Sequence, residues 1–147
     1  MFDIPRINDI TTTYPQPPQY KIIAKQNPGR DYNYPGAFFA KQKAYYVDLR
    51  PLPLPLNQAD AFKRVDKVAH AQSDWEIISS DAATQTVEAT ATTRLMRFKD
   101  DIVIEVRPGE DENSSTVHMR SKSRLGKSDL GKNASRIKEF FKSLLKP

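Results

Sequence analysis

The chain has 147 residues, 38% hydrophobic and 28% charged, with a net charge of +5, which suits one globular domain with a core of its own. The absence of cysteine excludes disulfides, thiol catalysis and cysteine-ligated metals, and two histidines are too few for a His-only metal site. The sequence contains no run of about 18 apolar residues, so no membrane helix is predicted. The first residues lack the pattern of a signal peptide.

Residues 1–38 form a segment of distinct composition, with six of the eleven prolines and four of the six tyrosines. Proline restricts its own backbone and that of the preceding residue, so we predict an extended arm with turns at NPGR and YPGA. The aromatic content argues against a disordered linker. We therefore predict that the arm packs on a single domain formed by residues 39–147.

The next two elements are an extended segment and a helix. In YYVDLRPLPLPL, from Tyr45 to Leu56, three prolines on one side predict an extended chain that is either an edge strand or a crossing segment. The pattern from Asn57 to Gln72 predicts a helix with Asn57 as its N-cap and Asp60 near its positive end.

Four strand patterns follow: DWEIISSD, TQTVEATATT, DIVIEVRP and TVHMRSKSR. Each alternates with a period of two, so each strand is predicted to place one face on a core and the other toward water. If the last two strands pair, one register opposes Asp101 to Lys122 and Glu105 to His118. A second pairing opposes Glu88 to Arg107.

The segment from Leu130 to Lys146 predicts the last helix, capped by Ser128 or Asp129 and with Leu130 on its apolar face. The order of elements predicts an α+β fold. It is a two-layer sandwich in which an antiparallel sheet of four to five strands carries two helices on one face. The other face is predicted to be polar and open to water, without the aromatic side chains of an RNA-binding sheet.

Basic residues concentrate at the C-terminal end, where residues 120–147 hold nine Lys and Arg but two Asp and Glu. We call RSKSRLGKSDLGKN, residues 120–133, the C-terminal seam. Gly126-Lys127-Ser128 resembles the end of a P-loop, but Ser121 stands where that motif needs glycine, so we exclude nucleotide hydrolysis. Two interpretations remain: an anion site beside the start of the last helix, or a capped helix whose cations face water.

Two polar features of the sequence also allow two interpretations each. Asn133 falls within the apolar arc of the last helix, so its amide either ties the helix to the Gly126 turn or contacts a ligand. Asp100 and Asp101 either close a turn and pair with bases or perform acid–base chemistry.

Five segments taken in order resemble the domain of unknown function 1499 family: INDITTTYPQPP, YYVDLRPLPLP, DWEIISSDAATQTVEATATT, RFKDDIVIEVRP and RSKSRLGKSDLGKNASRI. The resemblance extends from about Ile7 to Leu145 and is most specific in FKDD, residues 98–101, and in residues 120–137. It implies no activity. It implies that FKDD and residues 120–137 matter together, either for the fold or for the function, and that members often carry membrane segments ahead of the domain.

We expect a non-enzymatic binding or accessory module that holds an anionic small molecule, a lipid headgroup or an acidic partner at the basic seam. No catalytic residue, metal or cofactor is predicted, and a membrane-associated partner is favoured over nucleic acid. The alternative is a hydrolase that uses Asp100 and Asp101 with the seam. The location expected from the chain alone is cytoplasmic, and the resemblance implies the cell envelope. The candidate ligand-binding residues are Asp100, Asp101, Arg120, Ser123, Arg124, Lys127, Ser128, Asn133 and Arg136.

Overall fold

A computed structural model describes residues 4–146, so Met1, Phe2 and Asp3 of the predicted arm and Pro147 lie outside the described residues. Within that range the chain forms one antiparallel sheet of six strands and four helices. The strands are β1 (Asp9–Thr11), β2 (Leu52–Leu54), β3 (Trp75–Asp81), β4 (Thr86–Thr92), β5 (Lys99–Pro108) and β6 (Ser115–Ser123). The helices are α1 (Ile22–Gln26), α2 (Ala37–Tyr45), α3 (Gln58–His70) and α4 (Lys132–Leu145).

The α+β class is confirmed, with α3 and α4 on one face of the sheet. Asn57 caps α3 as predicted, because its side-chain oxygen accepts a hydrogen bond from the Asp60 N–H at 2.8 Å. Inward side chains such as Ile102, Ile104 and Met119 are fully buried against these helices. Each such side chain contributes roughly 1.5–3 kcal/mol through removal of apolar surface from water.

The sheet is larger than predicted because β1 lies within the arm. Strands β3, β4, β5 and β6 are neighbours in that order, and β1 and β2 both pair with the remaining edge of β6. The predicted edge position of the proline-rich segment is therefore confirmed for Leu52–Leu54, whereas Tyr45, where the extended segment was predicted to begin, is the last residue of α2. The prolines of this segment cannot donate ladder hydrogen bonds, which suits a strand with a single partner.

The predicted register of the last two strands is also confirmed. Asp101 lies opposite Lys122, and Glu105 lies opposite His118. The predicted pairing of Glu88 with Arg107 is wrong, since Glu88 lies opposite Val103. The loop between β4 and β5 sets this register.

Helix α2 protects the outer edge of β1. The Gln42 amide accepts a hydrogen bond from the Thr11 N–H at 3.1 Å and donates one to the Thr11 carbonyl at 2.7 Å. Gln42 is 1% exposed and satisfies backbone groups that a further strand would otherwise satisfy. The sequence does not predict this helix, because the apolar residues of AFFAKQKAY do not share one face.

The predicted open face of the sheet is covered by the arm, so that prediction is wrong. Tyr20 and Ile23 pack on Val103, and all three side chains are buried. Glu88 is fixed under the start of α1, where its carboxylate accepts hydrogen bonds from the N–H groups of Lys21, Ile22 and Ile23 at 2.9–3.2 Å. The arm brings its own apolar side chains to this face, which explains why polar outward residues do not leave it open.

His118 lies on the covered face, where its ring nitrogens contact the hydroxyls of Thr13 at 2.5 Å and Thr116 at 2.8 Å. Burial lowers the pKa of His118 from 6.5 to about 4. The unfolded chain therefore binds a proton at a higher pH than the folded chain does. We expect the free energy of unfolding to decrease as the pH falls from 6.5 to about 4.

The His118 contribution lost over this range is on the order of 3 kcal/mol. Urea unfolding at a series of pH values gives the free energy of unfolding of the native chain and of His118→Gln. The carboxylates titrate in both proteins, so the difference between the two pH profiles is the contribution of His118. Parallel profiles for the two proteins would contradict the prediction.

Candidate functional site

Two loops meet at one end of the sheet and enclose a cleft of about 530 Å³, which we call the seam cleft. Because Asp100 of β5 lies opposite Ser123 of β6, the end of the loop before β5 (93–98) lies beside the start of the loop after β6 (124–131). The apolar side chains of the cleft are Leu95, Met96, Phe98, Leu125 and Leu130. Its polar side chains are Thr93, Asp100, Ser123, Ser128, Asp129 and Lys132.

The apolar side chains of the cleft are unusually exposed. Leu95 is 90% exposed, Leu130 77%, Leu125 63% and Met96 62%. With Phe98, they make up five of the ten large hydrophobic side chains exposed among residues 4–146. Half of the exposed large hydrophobic side chains of the described residues therefore lie around one cleft.

The 93–98 loop presents its apolar tip in a closed conformation. The Thr93 N–H donates to the Phe98 carbonyl at 2.8 Å, and the Phe98 N–H donates to the Thr93 hydroxyl at 2.9 Å. The Arg97 N–H also donates to the Thr93 carbonyl at 3.1 Å. These bonds hold Leu95 and Met96 at the turn of the loop.

The second loop is fastened to the arm. The Asn8 side chain donates a hydrogen bond to the Gly126 carbonyl at 2.8 Å, and the Asp129 N–H donates to the Ile7 carbonyl at 3.2 Å. Leu130 and Gly131 both have positive φ, so the chain reverses there and α4 begins only at Lys132. The predicted place of Leu130 on the apolar face of the helix is therefore wrong.

The floor of the cleft contains two carboxyl groups with different partners. Asp129 accepts hydrogen bonds from the Gly131 N–H at 2.8 Å and the Asn133 amide at 2.9 Å. Burial raises the pKa of Asp129, and the nearby Asp100 adds to the effect. Asp100 Oδ2 lies 2.9 Å from Arg136 Nη2 as an ion pair, but it accepts no well-directed hydrogen bond from residues 4–146.

Behind this floor, the fully buried Asn133 joins α4 to β6. Its amide oxygen accepts hydrogen bonds from the Ser121 hydroxyl at 2.6 Å and from Arg136 at 2.9 Å. Its amide nitrogen donates to the Ser123 hydroxyl and to Asp129, both at 2.9 Å. Each polar group of Asn133 thus has a partner, and the tie runs to β6 rather than to the Gly126 turn.

Arg120 belongs to the opposite face of the sheet and is 1% exposed under the arm. Its guanidinium forms two hydrogen bonds with Asp9, at 2.9 and 2.7 Å. It also donates to the carbonyls of Pro18 and Tyr32 and lies 4.7 Å from the centre of the Tyr20 ring. Its charge is neutralised within the fold.

Asp101 and Arg124 form a second ion pair on the same covered face. Arg124 donates to both carboxylate oxygens of Asp101 at 2.8 Å. The Thr90 and Tyr32 hydroxyls donate to that carboxylate at 2.9 and 2.8 Å. Asp101 is therefore fully buried and has four hydrogen-bond donors, which leaves its side chain little capacity for a ligand.

The predicted site residues thus divide into three groups. Asp100, Ser123 and Ser128 line the seam cleft, with exposed Lys127 in its second loop. Asn133 and Arg136 lie behind its floor. The covered face holds Asp101, Arg120 and Arg124.

Arg124 and Arg136 do not converge on one anion site, because each pairs with an aspartate on a different face of the sheet. The sequence prediction missed the 93–98 loop. The sequence feature that could have indicated this loop is the presence of Leu95, Met96 and Phe98 in a connection between strands, where polar turn residues are usual.

The described residues contain no group of three or more His, Asp or Glu side chains that could hold a metal ion. Within residues 4–146, no helix combines the length and apolar character needed to cross a bilayer.

The fold and the cleft define an α+β domain with one six-stranded sheet. Helices cover one face of the sheet, the arm covers the other, and the seam cleft lies at one end. The family model described as a protein of unknown function, DUF1499, matches residues 9–144, and the chain belongs to this family. No curated protein matches the chain.

One solved structure with some similarity is the di-domain ARO/CYC BexL from the BE-7585A biosynthetic pathway. The TM-score is 0.46 at 10% identity, over 65% of this chain and 43% of that one. The chain therefore spans less than half of the BexL chain.

Proposed function

We propose that the protein is a non-enzymatic binding module that holds an amphipathic molecule with an apolar body and an anionic head in the seam cleft. The observation that carries the proposal is the convergence of five exposed apolar side chains on a cleft whose loops bear exposed cations. An apolar pocket with a few convergent polar groups is the usual form of a small-molecule site.

The electrostatics of the cleft favour an anionic head at its rim. Lys132 lines the cleft, and Arg97 and Lys127 are exposed in its two loops. On the floor, Arg136 neutralises Asp100. Asp129 directs its carboxylate at the Gly131 N–H and the Asn133 amide, both of which donate hydrogen bonds to it.

The floor also offers hydrogen-bonding capacity for the head. Asp100 contributes little to it, because its side chain is 2% exposed and its Oδ2 is paired with Arg136. The Ser128 hydroxyl at the lining adds a group that can donate or accept. The cleft therefore suits a head that carries a hydroxyl group beside its negative charge.

The alternative, a hydrolase that uses Asp100 with Asp101, has less support. The two side chains lie on opposite faces of β5, and each pairs with its own arginine. Among residues 4–146, no histidine lines the cleft, so a nucleophile activated by histidine is absent there.

Calorimetric titration with dihexanoyl phosphatidylglycerol below its micelle concentration tests the proposal, with dihexanoyl phosphatidylcholine and inorganic phosphate as comparisons. We expect the glycerol lipid to bind most tightly, because it alone combines an apolar body, an anionic head and hydroxyl groups. Lys132→Glu should weaken its binding about fivefold to tenfold, since an attraction between exposed charges is replaced by repulsion.

Lys67→Glu is the matched control, because it makes the same charge change at an exposed position on α3 and should leave the affinity unchanged. Equal affinities for the three probes, or equal losses in the two variants, would count against the proposal. Release of hexanoate during the titration would favour the hydrolase instead.

A further inference from the structure

We propose that the end of the sheet formed by residues 94–99 and 124–132 docks the domain on the surface of an anionic lipid bilayer. We call these two segments the docking loops. Their sequences are RLMRFK and RLGKSDLGK, and in both of them apolar residues alternate with cations. The inference goes beyond the proposed function, because docking requires no molecule in the seam cleft.

The apolar component of this surface is exposed and held in place. Leu95 and Leu130, the most exposed of the large hydrophobic side chains among residues 4–146, belong to different docking loops. The hydrogen bonds between Thr93 and Phe98 and those from the arm to the second loop keep both tips in position. A preformed surface loses little conformational freedom when it enters a membrane interface.

The excess of positive charge on the chain comes from the docking loops. The docking loops contain six of the 23 Lys and Arg residues and one of the 18 Asp and Glu residues, so the rest of the chain holds 17 of each. Arg124 pairs with Asp101, and the other five cations are exposed: Arg94, Arg97, Lys99, Lys127 and Lys132. The positive charge therefore coincides with the apolar tips.

Charge complementarity selects the bilayer as the occupant of this surface. Apolar side chains that enter the acyl boundary with cations at the level of the headgroups are typical of peripheral membrane proteins. A second copy of the chain would bring five cations against five others, which opposes self-association through these loops. Long cationic side chains also place their charge in the headgroup layer while their stems accompany the apolar tips.

Co-sedimentation of the protein with vesicles tests the proposal. We expect binding to vesicles of phosphatidylcholine mixed with phosphatidylglycerol and weak binding to phosphatidylcholine alone. The variants Leu95→Ser/Met96→Ser and Arg94→Glu/Arg97→Glu should each reduce binding about tenfold or more. All four side chains are exposed, so both variants should fold normally, which thermal unfolding checks.

Matched controls separate docking from general effects of polarity and charge. Val47→Ser/Leu145→Ser removes two exposed apolar side chains elsewhere, and Lys63→Glu/Lys67→Glu reverses two exposed charges on α3. Native binding in these controls supports the proposal. Equal losses in controls and docking-loop variants, or no vesicle binding by the native chain, would overturn it.

The absence of cysteine permits a direct measurement of insertion. An environment-sensitive dye attached to Met96→Cys should shift to shorter emission wavelengths with the anionic vesicles, whereas the same dye on Val47→Cys should not. Identical responses at the two positions would contradict insertion of the tips. A dimer that Leu95→Ser/Met96→Ser converts to a monomer would overturn the proposal in favour of a second copy.

The two proposals can fail separately. Vesicle binding without binding of monomeric dihexanoyl phosphatidylglycerol would refute the ligand site and retain the docking surface. Binding of the monomeric lipid without binding to anionic vesicles would refute docking alone.

Discussion

Replacement of Arg120 by methionine is expected to lower the free energy of unfolding by about 3–5 kcal/mol. The substitution leaves Asp9, which is fully buried, without its cationic partner. It also removes the hydrogen bonds to the carbonyls of Pro18 and Tyr32, which fasten the arm to the sheet. Urea unfolding measures the loss, and hydrogen exchange of residues 9–34 should show the arm opening first.

The double variant Arg120→Met/Asp9→Leu tests the cause. If the loss arises from an uncompensated buried charge, removal of that charge should restore a large part of the stability. A single variant within about 1 kcal/mol of the native chain would show that Asp9 finds water or another partner there. An equal loss in single and double variants would assign the effect to the contacts of Arg120 with the arm carbonyls.

Replacement of Asn133 by leucine is expected to lower the free energy of unfolding by about 2–3 kcal/mol in the absence of any ligand. The Ser121 and Ser123 hydroxyls and one oxygen of Asp129 would each lose a partner in a buried environment. The junction of α4 with β6 would then be weakened where it forms the floor of the seam cleft. Urea unfolding without added lipid measures the effect.

This experiment also decides between the two interpretations of Asn133. A structural role predicts lost stability, whereas a ligand contact predicts native stability with weaker lipid binding in the calorimetric titration. Lys142→Leu, at an exposed position of the same helix, is the control and should change stability by less than about 0.5 kcal/mol.

Strands β3–β6 and the helices α3 and α4 follow from local patterns in the sequence. Alternation with a period of two identified the strands, and the spacing of apolar residues identified the helices. Helix α2 and the short α1 were not predicted, because contacts with β1 and with Glu88 support them rather than a pattern of their own. The boundary between arm and domain at residue 38 stays a prediction.

The candidate site was predicted only in part, because charge type alone does not show where a side chain is neutralised. Arg120 and Arg124 of the seam and Arg136 of the last helix were all candidate ligand-binding residues. The fold pairs them with Asp9, Asp101 and Asp100, which lie far from them in the chain or are brought near by strand register. Which cations stay available for a ligand is therefore a property of the tertiary structure.

The sequence by itself determined the α+β class, the period and register of the last strands, the family and the excess of positive charge in the seam. These properties follow from residue patterns and their order along the chain, without knowledge of contacts between distant segments. Only the tertiary structure decided that the arm covers the second face of the sheet and that Arg120 and Arg124 are neutralised beneath it. Both outcomes depend on packing between segments that are distant in the chain, so no local pattern in the sequence records them.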